Sequence, residues 1–406
     1  MTPIVTGIVG FVVLLTLMFM GTPIGFAMLL CGVAGFAYLG TWGGSLAVLT
    51  KVPYSLVTNY DYAVLPLFLL MAEICLAAGM GQSLYRLVYM WIGRFRGGLA
   101  VATLGACALF SAASSSSIAT TATLGVVAIP EMRKYNYNDG LVAGCLAAGG
   151  GLGILIPPSG ILIIYGIMTQ QSISKLFIAG ILPGILLTVM FMVMIYIRAC
   201  FNPSLAPAGP RTSAKEKMTA IGESIEIVVL LALVIVGLII GWFTPTEAGA
   251  AGALGAIVLS LIRRRLSWKG FIHAVKGTLR ASGMIFLILI GSLVFNAFLA
   301  ATTLPMELAS WVDGLGLSPR LVMVLIVMLY LALGIFMEEL SMILLTVPIF
   351  YPLVTSLGWF DLDFWWELGA LITIMLLGHW QEMKALGQTR THSPRWPSCS
   401  PTRRSS

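Results

Sequence analysis

The stretch AAGGGLGILIPPS at residues 147–159 interrupts an apolar segment that runs from about residue 140 to 168. Proline inside a helix removes a hydrogen-bond donor and clashes with the carbonyl four residues earlier, at a cost of about 3 kcal/mol or more. A single proline usually causes only a kink, but glycine-rich backbone followed by Pro157-Pro158 predicts a true break. Carbonyls freed before Pro157 can bind a cation, and the half-helix that starts near Ser159 offers free N–H groups to an anion.

Composition indicates that this broken helix lies in a membrane. The chain has 406 residues, of which 59% are hydrophobic and 10% are charged, whereas about 25% of the residues of a soluble domain are charged. So few charges cannot cover a water-facing surface. The 23 basic residues give a net charge of +7, but they are scattered at segment ends without interleaved aromatics, which excludes nucleic-acid binding.

Enzyme motifs are absent from the sequence. The six cysteines show no CxxC spacing and the three histidines are dispersed, so neither a zinc site nor a disulfide framework is expected. No GxSxG, HExxH, Walker A or dinucleotide motif occurs. An intramembrane enzyme is therefore the least favoured class, and we expect any uptake to be driven by an ion gradient.

The apolar segments and the polar pieces between them outline the organisation. Apolar stretches lie at about 4–21, 24–40, 60–80, 98–130, 140–168, 176–200, 224–243, 246–262, 281–301, 319–357 and 364–377. The first follows Met1-Thr2-Pro3, which lacks the Lys or Arg that begins a cleavable signal peptide. This favours a spanning helix over a cleavable signal. Residues 202–223 are predicted to be a cytoplasmic linker, and residues 263–280 to form an amphipathic helix in the membrane interface.

An internal duplication emerges when the chain is compared with itself at a fixed shift, called the repeat offset below, that places Thr22-Pro23 on Thr244-Pro245. The same shift places Pro130 on Pro352. The boundaries of several apolar stretches coincide as well. We therefore predict a first repeat at 1–201 and a second, incomplete repeat at 224–377.

Positive charge predicts the relative orientation of the two repeats. With the linker and the interfacial helix placed inside, 15 of the 18 Lys and Arg residues before residue 378 face the cytoplasm, leaving Lys51, Lys175 and Arg320 outside. The segments 98–132 and 319–352 must then enter from opposite faces. The fold class expected is an all-α polytopic membrane protein, an inverted repeat with two re-entrant hairpins and a broken helix, as in secondary transporters.

A run of hydroxyl residues, SAASSSSIATT at 111–121, lies midway through the first hairpin. Scattered serines in membrane helices are ordinary packing residues that bond back to a carbonyl. Four in succession fit that role poorly, because consecutive residues face all sides of a helix. A hairpin tip lining a polar cavity suits them better, and its oxygens are suitable ligands for Na⁺.

Carboxylates are rare in the apolar stretches, since a charge at mid-depth costs at least about 2.5–3.5 kcal/mol. Glu73, Glu247, Glu338 and Glu339 are therefore conspicuous. Glu247 follows Thr244-Pro245-Thr246, and a helix-capping role is favoured over a substrate role. Glu338-Glu339 occupies the position of Ser116-Ser117 at the repeat offset, which predicts a cation site at the second hairpin tip.

Four segments resemble one transporter family. GLGILIPPSGILIIYGIMTQQSISKLFIAGILPG (151–184) is similar to a highly specific motif of the large membrane subunit of tripartite ATP-independent periplasmic (TRAP) transporters. SSSSIATTATLGVVAIPEM (114–132), FTPTEAGAAGA (243–253) and GIFMEELSMILLTVPIFYPLV (334–354) resemble its other motifs. The resemblance implies an elevator-type, Na⁺-driven importer of small organic anions such as C4-dicarboxylates, in the bacterial inner membrane. It also implies two partners, a small four-helix membrane subunit and a periplasmic substrate-binding protein.

The residues and the resemblance together give the expected site. Cation binding is assigned to Ser114, Ser115, Ser116, Ser117, Gly149, Gly151, Gly153, Glu338 and Glu339. Substrate binding is assigned to Pro157, Pro158, Ser159, Thr120 and Thr121. Na⁺ is the coupling ion, and no other metal or cofactor is expected.

The chain departs from the family pattern in two places. Glu338 stands where the family usually has Asp, and His379-Trp380 stands where a second Pro-Pro pair is expected. The polar tail at 378–406 predicts a frameshifted or truncated gene in preference to a lineage-specific tail, so we do not expect transport by the 406-residue form. Two alternatives stay open: a stand-alone Na⁺/dicarboxylate or citrate carrier, and a non-transporting remnant.

Overall fold

The structure is a computed structural model that describes residues 2–114, 116–209, 212–334, 337 and 339–356. Across these residues the secondary structure consists of sixteen α-helices and two 3₁₀ turns, without a β-strand. Five helical segments of the described part are long and apolar enough to cross a membrane, and several shorter apolar helices accompany them. The expected all-α membrane fold is confirmed.

The first half contains ten helices. They are α1 (Pro3–Phe19), α2 (Ile24–Leu39), α3 (Trp42–Thr58), α4 (Val64–Ala77), α5 (Met80–Ile92), α6 (Gly98–Ser114), α7 (Ser117–Lys134), α8 (Asp139–Gly151), α9 (Gly160–Thr169) and α10 (Ile173–Phe201). Short 3₁₀ turns lie at Tyr60–Ala63 and Leu152–Ile154. Helix α3 was not among the apolar stretches of the sequence, because Lys51 and Pro53 lie inside it.

The described second half contains six helices. They are α11 (Ala214–Ile240), α12 (Pro245–Ile262), α13 (Trp268–Ala301), α14 (Leu304–Gly314), α15 (Pro319–Leu333) and α16 (Glu339–Ser356). Helix α11 begins at Ala214, so the second part of the predicted linker 202–223 is helical. Ser213 and Glu216 form a capping box that starts α11 at Ala214. Of the predicted amphipathic helix 263–280, only the part from Trp268 onward is helical, as the first turns of α13, because Ser267 caps the start of that helix.

The helices repeat in the order that the repeat offset predicts. Helix α16 begins and ends at the positions equivalent to the ends of α7, and both helices have 18 residues. Helices α2 and α12 correspond in the same way, as do α6 and α15, with small differences at their ends. The hairpins α6–α7 and α15–α16 are the two predicted hairpins.

The two halves interlock through a pair of equivalent contacts. Helix α2 packs along α13, and its repeat partner α12 packs along α4. Gly25 and Gly32 allow the first contact. A methyl group on Gly25 would lie 3.1 Å from the backbone of Ile288, and one on Gly32 would lie 2.8 Å from the backbone of Phe295. Small residues let membrane helices approach closely, and dispersion contacts then stabilise the pair.

Charged residues fix two helix junctions. The capping role of Glu247 is confirmed, since its carboxylate accepts a hydrogen bond from the N–H of Thr244 at 2.8 Å and the Thr244 hydroxyl accepts one in return. Glu226 on α11 is 5% exposed, and its two oxygens lie 2.9 Å from the guanidinium groups of Arg263 and Arg265. A buried carboxylate needs such partners, so this pairing ties α11 to the connection between α12 and α13.

Candidate functional site

The predicted break is present between α8 and α9. Helix α8 ends at Gly151, a 3₁₀ turn follows, and α9 begins only at Gly160. The N–H groups of Leu155 and Ile156 both donate to the carbonyl of Leu152, which closes the turn. Pro157 and Pro158, which are joined by a cis peptide bond, then carry the chain through the irregular stretch. The two half-helices therefore meet at a segment whose backbone is not fully paired within a helix.

Glycines at the break allow the first hairpin to pack directly against it. A methyl group on Gly150 would collide with Oγ1 of Thr121 and lie 2.9 Å from the carbonyl oxygen of Ser117. One on Gly149 would lie 2.5 Å from Sγ of Cys107, and one on Gly153 would lie 3.3 Å from Cβ of Ser111. The glycine run thus provides close packing, a role that the sequence analysis did not assign to it.

Hydroxyl groups order the tip between α6 and α7. The hydroxyls of Ser114 and Thr120 form a hydrogen bond of 2.5 Å, and Ser114 Oγ also donates to the carbonyl of Ser116 at 3.3 Å. Ser116 caps α7, since its Oγ accepts from the N–H of Ala119 at 3.3 Å. Thr121 Oγ1 donates to the carbonyl of Ser117 at 2.9 Å. The run is therefore a turn stabilised by its own side chains, with several oxygens collected in one place.

The tips of the two hairpins meet. Ser117 Oγ donates to the carboxylate oxygens of Glu339 at 3.4 and 3.5 Å. The repeat offset places these two residues on each other, so each is the repeat equivalent of the other. Such a contact is what an axis relating the two repeats and passing between the tips would produce. Residues of both halves thus build the site.

Ser159 is the polar residue at the start of α9. It is 1% exposed, and its Oγ has no hydrogen-bond partner among the residues that the structure describes. Nor does its side chain cap α9. A buried hydroxyl without a partner costs about 1–3 kcal/mol, so it needs an explanation such as a ligand or water.

The predicted site residues fall into three groups. Ser114, Ser116, Ser117, Thr120 and Thr121 lie together at the first tip, against the break that contains Gly149, Gly151, Gly153, Pro157, Pro158 and Ser159. Glu339 joins them from the second tip. Ser115 and Glu338 lie outside the described residues. Thr120 is fully buried, so its predicted contact with substrate requires movement of the tip.

A cavity lies away from the tips, along the returning helix of the second hairpin. It is partly open, has a volume of about 160 Å³ and is lined by Met168, Leu293, Asn296, Val347, Pro348, Tyr351 and Pro352. Pro348 is about 14 Å along α16 from Glu339, at about 1.5 Å per residue. Sequence reasoning missed Asn296, although it is a polar residue within an uncharged apolar span.

Sequence reasoning also missed the direct contact between Ser117 and Glu339. The signal was available, because equivalent residues at two hairpin tips meet whenever the repeat axis passes between the tips. Three or more His, Cys, Asp or Glu side chains grouped as a metal site are not found in the described part of the chain. The oxygens at the tips are hydroxyls, carbonyls and a carboxylate, which are the ligands of hard cations.

Two opposed helical hairpins beside a broken helix define a membrane transporter fold. The crystal structure of the YdaH transporter from Alcanivorax borkumensis shares it, with a TM-score of 0.55, 15% identity, and coverage of 86% of this chain and 82% of that one. At this identity the likeness shows the fold alone.

Comparison of the amino-acid sequence with known families and proteins identifies the family of this chain. Residues 11–377 match the model of the DctM component of the tripartite ATP-independent periplasmic transporters, and the chain belongs to that family. The C4-dicarboxylate TRAP transporter large permease protein DctM of Pseudomonas aeruginosa is 36% identical over 74% of this chain and 70% of its own length. The sialic acid TRAP transporter large permease protein SiaM of Vibrio cholerae is 31% identical, covering 85% and 80%. The ectoine/5-hydroxyectoine large permease protein UehC of Ruegeria pomeroyi is 30% identical, covering 86% and 81%. The resemblance inferred from the motifs is confirmed.

Proposed function

We propose that this large permease subunit couples the entry of Na⁺ to the import of small organic anions, chiefly carboxylates. The observation that carries the proposal is the contact between Ser117 and Glu339, where the tips of the two hairpins meet. Carboxylate and hydroxyl oxygens that lie side by side are the kind of ligands that hard cations prefer. The hydroxyl and carbonyl oxygens of the first tip supply the neutral ligands that a monovalent cation needs.

The organic anion is assigned to the broken helix. The start of α9 presents free N–H groups, and negative charge is favoured at a helix N-terminus. The hydroxyl of Ser159, which has no partner among the described residues, adds a donor at that position. The relatives are named for C4-dicarboxylate, sialic acid and ectoine, which all carry a carboxylate, so the proposal extends to small carboxylates and not to one compound.

The proposed movement follows from packing. Hairpin α6–α7 and the break contact each other through Gly149, Gly150 and Gly153, so they move as one body. The interlocked pairs α2–α13 and α4–α12 form the frame against which that body slides. An elevator of this kind carries the cation and the anion across the membrane together.

The proposed partners complete a tripartite system. A small four-helix membrane subunit supports the frame, and a periplasmic binding protein delivers the anion. The excess of Lys and Arg on the linker side supports a cytoplasmic assignment for that side, in a bacterial inner membrane.

Binding of Na⁺ to the purified chain tests the proposal most directly. Glu339→Gln should weaken Na⁺ binding at least tenfold in a titration followed by thermal unfolding, with K⁺ as the competing ion. Glu307→Gln, which neutralises an exposed carboxylate on α14, is the matched control and should bind Na⁺ normally. Equal Na⁺ affinity in both variants would contradict the proposal.

Uptake is the second test. Proteoliposomes with both partners should accumulate a labelled dicarboxylate only when Na⁺ is supplied outside. Accumulation that is the same with and without external Na⁺ would contradict the coupling.

A further inference from the structure

Helix α13 is too long for the membrane that it crosses. Its 34 residues extend about 51 Å at about 1.5 Å per residue, whereas the hydrocarbon core is about 30 Å thick. Residues 281–301 carry no charge and alone span about 31 Å. The turns that precede them, residues 268–280, therefore lie at the level of the lipid headgroups or beyond.

Two parallel stripes of side chains run along these turns. Lys269, His273, Lys276 and Arg280 are spaced by four, three and four residues, so they share one face of the helix, and all four are exposed. Trp268, Ile272, Val275 and Leu279 repeat with the same spacing on the adjacent face. Trp268 is 75% exposed and Leu279 is 67% exposed. A basic stripe thus runs beside an apolar one.

The Lys and Arg residues of the stripe have no carboxylate partner in the described part of the chain. The nearby carboxylates of Glu223 and Glu226 are held by Arg86, Arg263 and Arg265. Glu73 faces α13 at Gly277, where a methyl group would lie 2.7 Å from its Cδ. Its electrostatic interaction with the stripe is with His273, which leaves the three permanent cations available to a ligand.

The other half of the chain provides an internal comparison. At the repeat offset, the four stripe positions correspond to Ala47, Lys51, Tyr54 and Thr58 on α3. The equivalent surface of the first repeat therefore carries one cation where α13 has three Lys or Arg residues and a His. The stripe is thus not required by the hairpin scaffold that both repeats share.

We propose that residues 268–280 of α13 form a binding surface for the headgroups of acidic phospholipids in the surrounding bilayer. Charge complementarity supports this occupant, since Lys and Arg near a membrane surface attract anionic lipid. The apolar stripe supports it too, because exposed Trp and Leu beside a basic face are typical of helix surfaces at the membrane interface. The exposed apolar surface continues into the span at Met284, so lipid acyl chains and headgroups contact one uninterrupted face.

The test measures lipid retained by the full chain. The protein, purified in detergent, is titrated with phosphatidylglycerol or phosphatidylcholine, and bound lipid is counted by native mass spectrometry. The variant K269Q/K276Q/R280Q should bind phosphatidylglycerol roughly tenfold or more weakly, with phosphatidylcholine binding unchanged. The matched control R96Q/R198Q/K215Q removes three exposed cations from the same predicted membrane side without a stripe, and should bind phosphatidylglycerol like the parent.

Three results would overturn the proposal. One is an unchanged phosphatidylglycerol affinity in the stripe variant, and another is an equal loss in the control, which would indicate unspecific charge attraction. The third is retained lipid binding together with loss of an acidic protein partner. A charge-conserving variant, K269R/K276R/R280K, separates charge from folding, because it should retain lipid binding and the helix content measured by circular dichroism.

Discussion

The two helical hairpins have the same backbone plan and different chemistry. The first hairpin ends in a turn held by Ser114, Thr120 and Ser116, and it packs on the glycines of the broken helix. The second presents the carboxylate of Glu339 at its tip. One hairpin therefore contributes neutral oxygens and the other contributes charge. A duplicated scaffold can divide polar ligands between its halves when the two tips meet, as they do at Ser117 and Glu339.

The returning helices of the hairpins also differ. Helix α16 contains Pro348 and Pro352, whereas α7 has proline only at the second of the two equivalent positions, Pro130. Pro348 cannot donate to the carbonyl of Leu344, and that carbonyl instead accepts a hydrogen bond from Ser292 Oγ on α13 at 2.8 Å. A side-chain hydrogen bond therefore links the second hairpin to α13. The first hairpin needs no such bond, because its equivalent of Pro348 is Val126, which has its own N–H.

The largest expected effect tests whether the hairpins enter from opposite faces. Single cysteines at Lys134→Cys and Pro319→Cys, in a background with Cys200 and Cys399 replaced by Ser, should react with an impermeant maleimide from opposite sides of the membrane. The reason is the asymmetry of positive charge between the two surfaces. Labelling of both cysteines from the same side would show that the two hairpins do not enter the membrane from opposite faces.

The packing of the first hairpin on the break is tested by Gly150→Ala. The added methyl group would collide with Thr121 Oγ1 and the carbonyl of Ser117, so we expect a loss of about 2–3 kcal/mol in the free energy of unfolding. Denaturation in mixed micelles measures it. Gly144→Ala, on the same helix with open space around it, should be neutral or stabilising by up to about 1 kcal/mol. Similar destabilisation in both variants would show that helix α8 itself, and not its contact with the hairpin, is sensitive.

The contact between the tips is tested by a double-mutant cycle with Ser117→Ala and Glu339→Gln. Each single change should weaken Na⁺ binding, and the double variant should be less impaired than the sum of both. We expect a coupling of about 1 kcal/mol, because contacting residues in one polar network are not independent. Isothermal titration with NaCl gives the four affinities. Strict additivity would mean that the two tips act separately.

The smallest expected effect concerns the second hairpin alone. Ser292→Ala removes the donor to the carbonyl of Leu344 and should lower stability by about 1 kcal/mol. Adding Pro348→Ala should restore part of it, because the new N–H can bond that carbonyl within the helix. Ser310→Ala, which removes an exposed bond to Met306, is the control for loss of a serine hydroxyl. If Pro348→Ala restores no stability, the unpaired carbonyl of Leu344 is not the cause of the loss in Ser292→Ala.

The sequence alone determined the features that arise from local chemistry and composition. The break at Pro157-Pro158 follows from a missing donor, and the membrane class follows from the scarcity of charge. The repeat offset made Glu339 the equivalent of Ser117 without reference to any contact between them. Helix α3 was missed because Lys51 and Pro53 dilute its apolar pattern, although packing in the bundle keeps it helical.

Only the tertiary structure decided which partner each site residue contacts. The sequence assigned glycines within 149–153 to cation binding, and their packing against Cys107 and Thr121 became visible only when α6 and α7 were placed on α8. It grouped Ser114 to Ser117 as equals, yet Ser114 bonds to Thr120, Ser116 caps a helix and Ser117 reaches Glu339. The effects of a proline and of local composition are confined to the segment that contains them. A contact between residues so far apart in sequence depends on how whole helices pack, and that is a property of the fold.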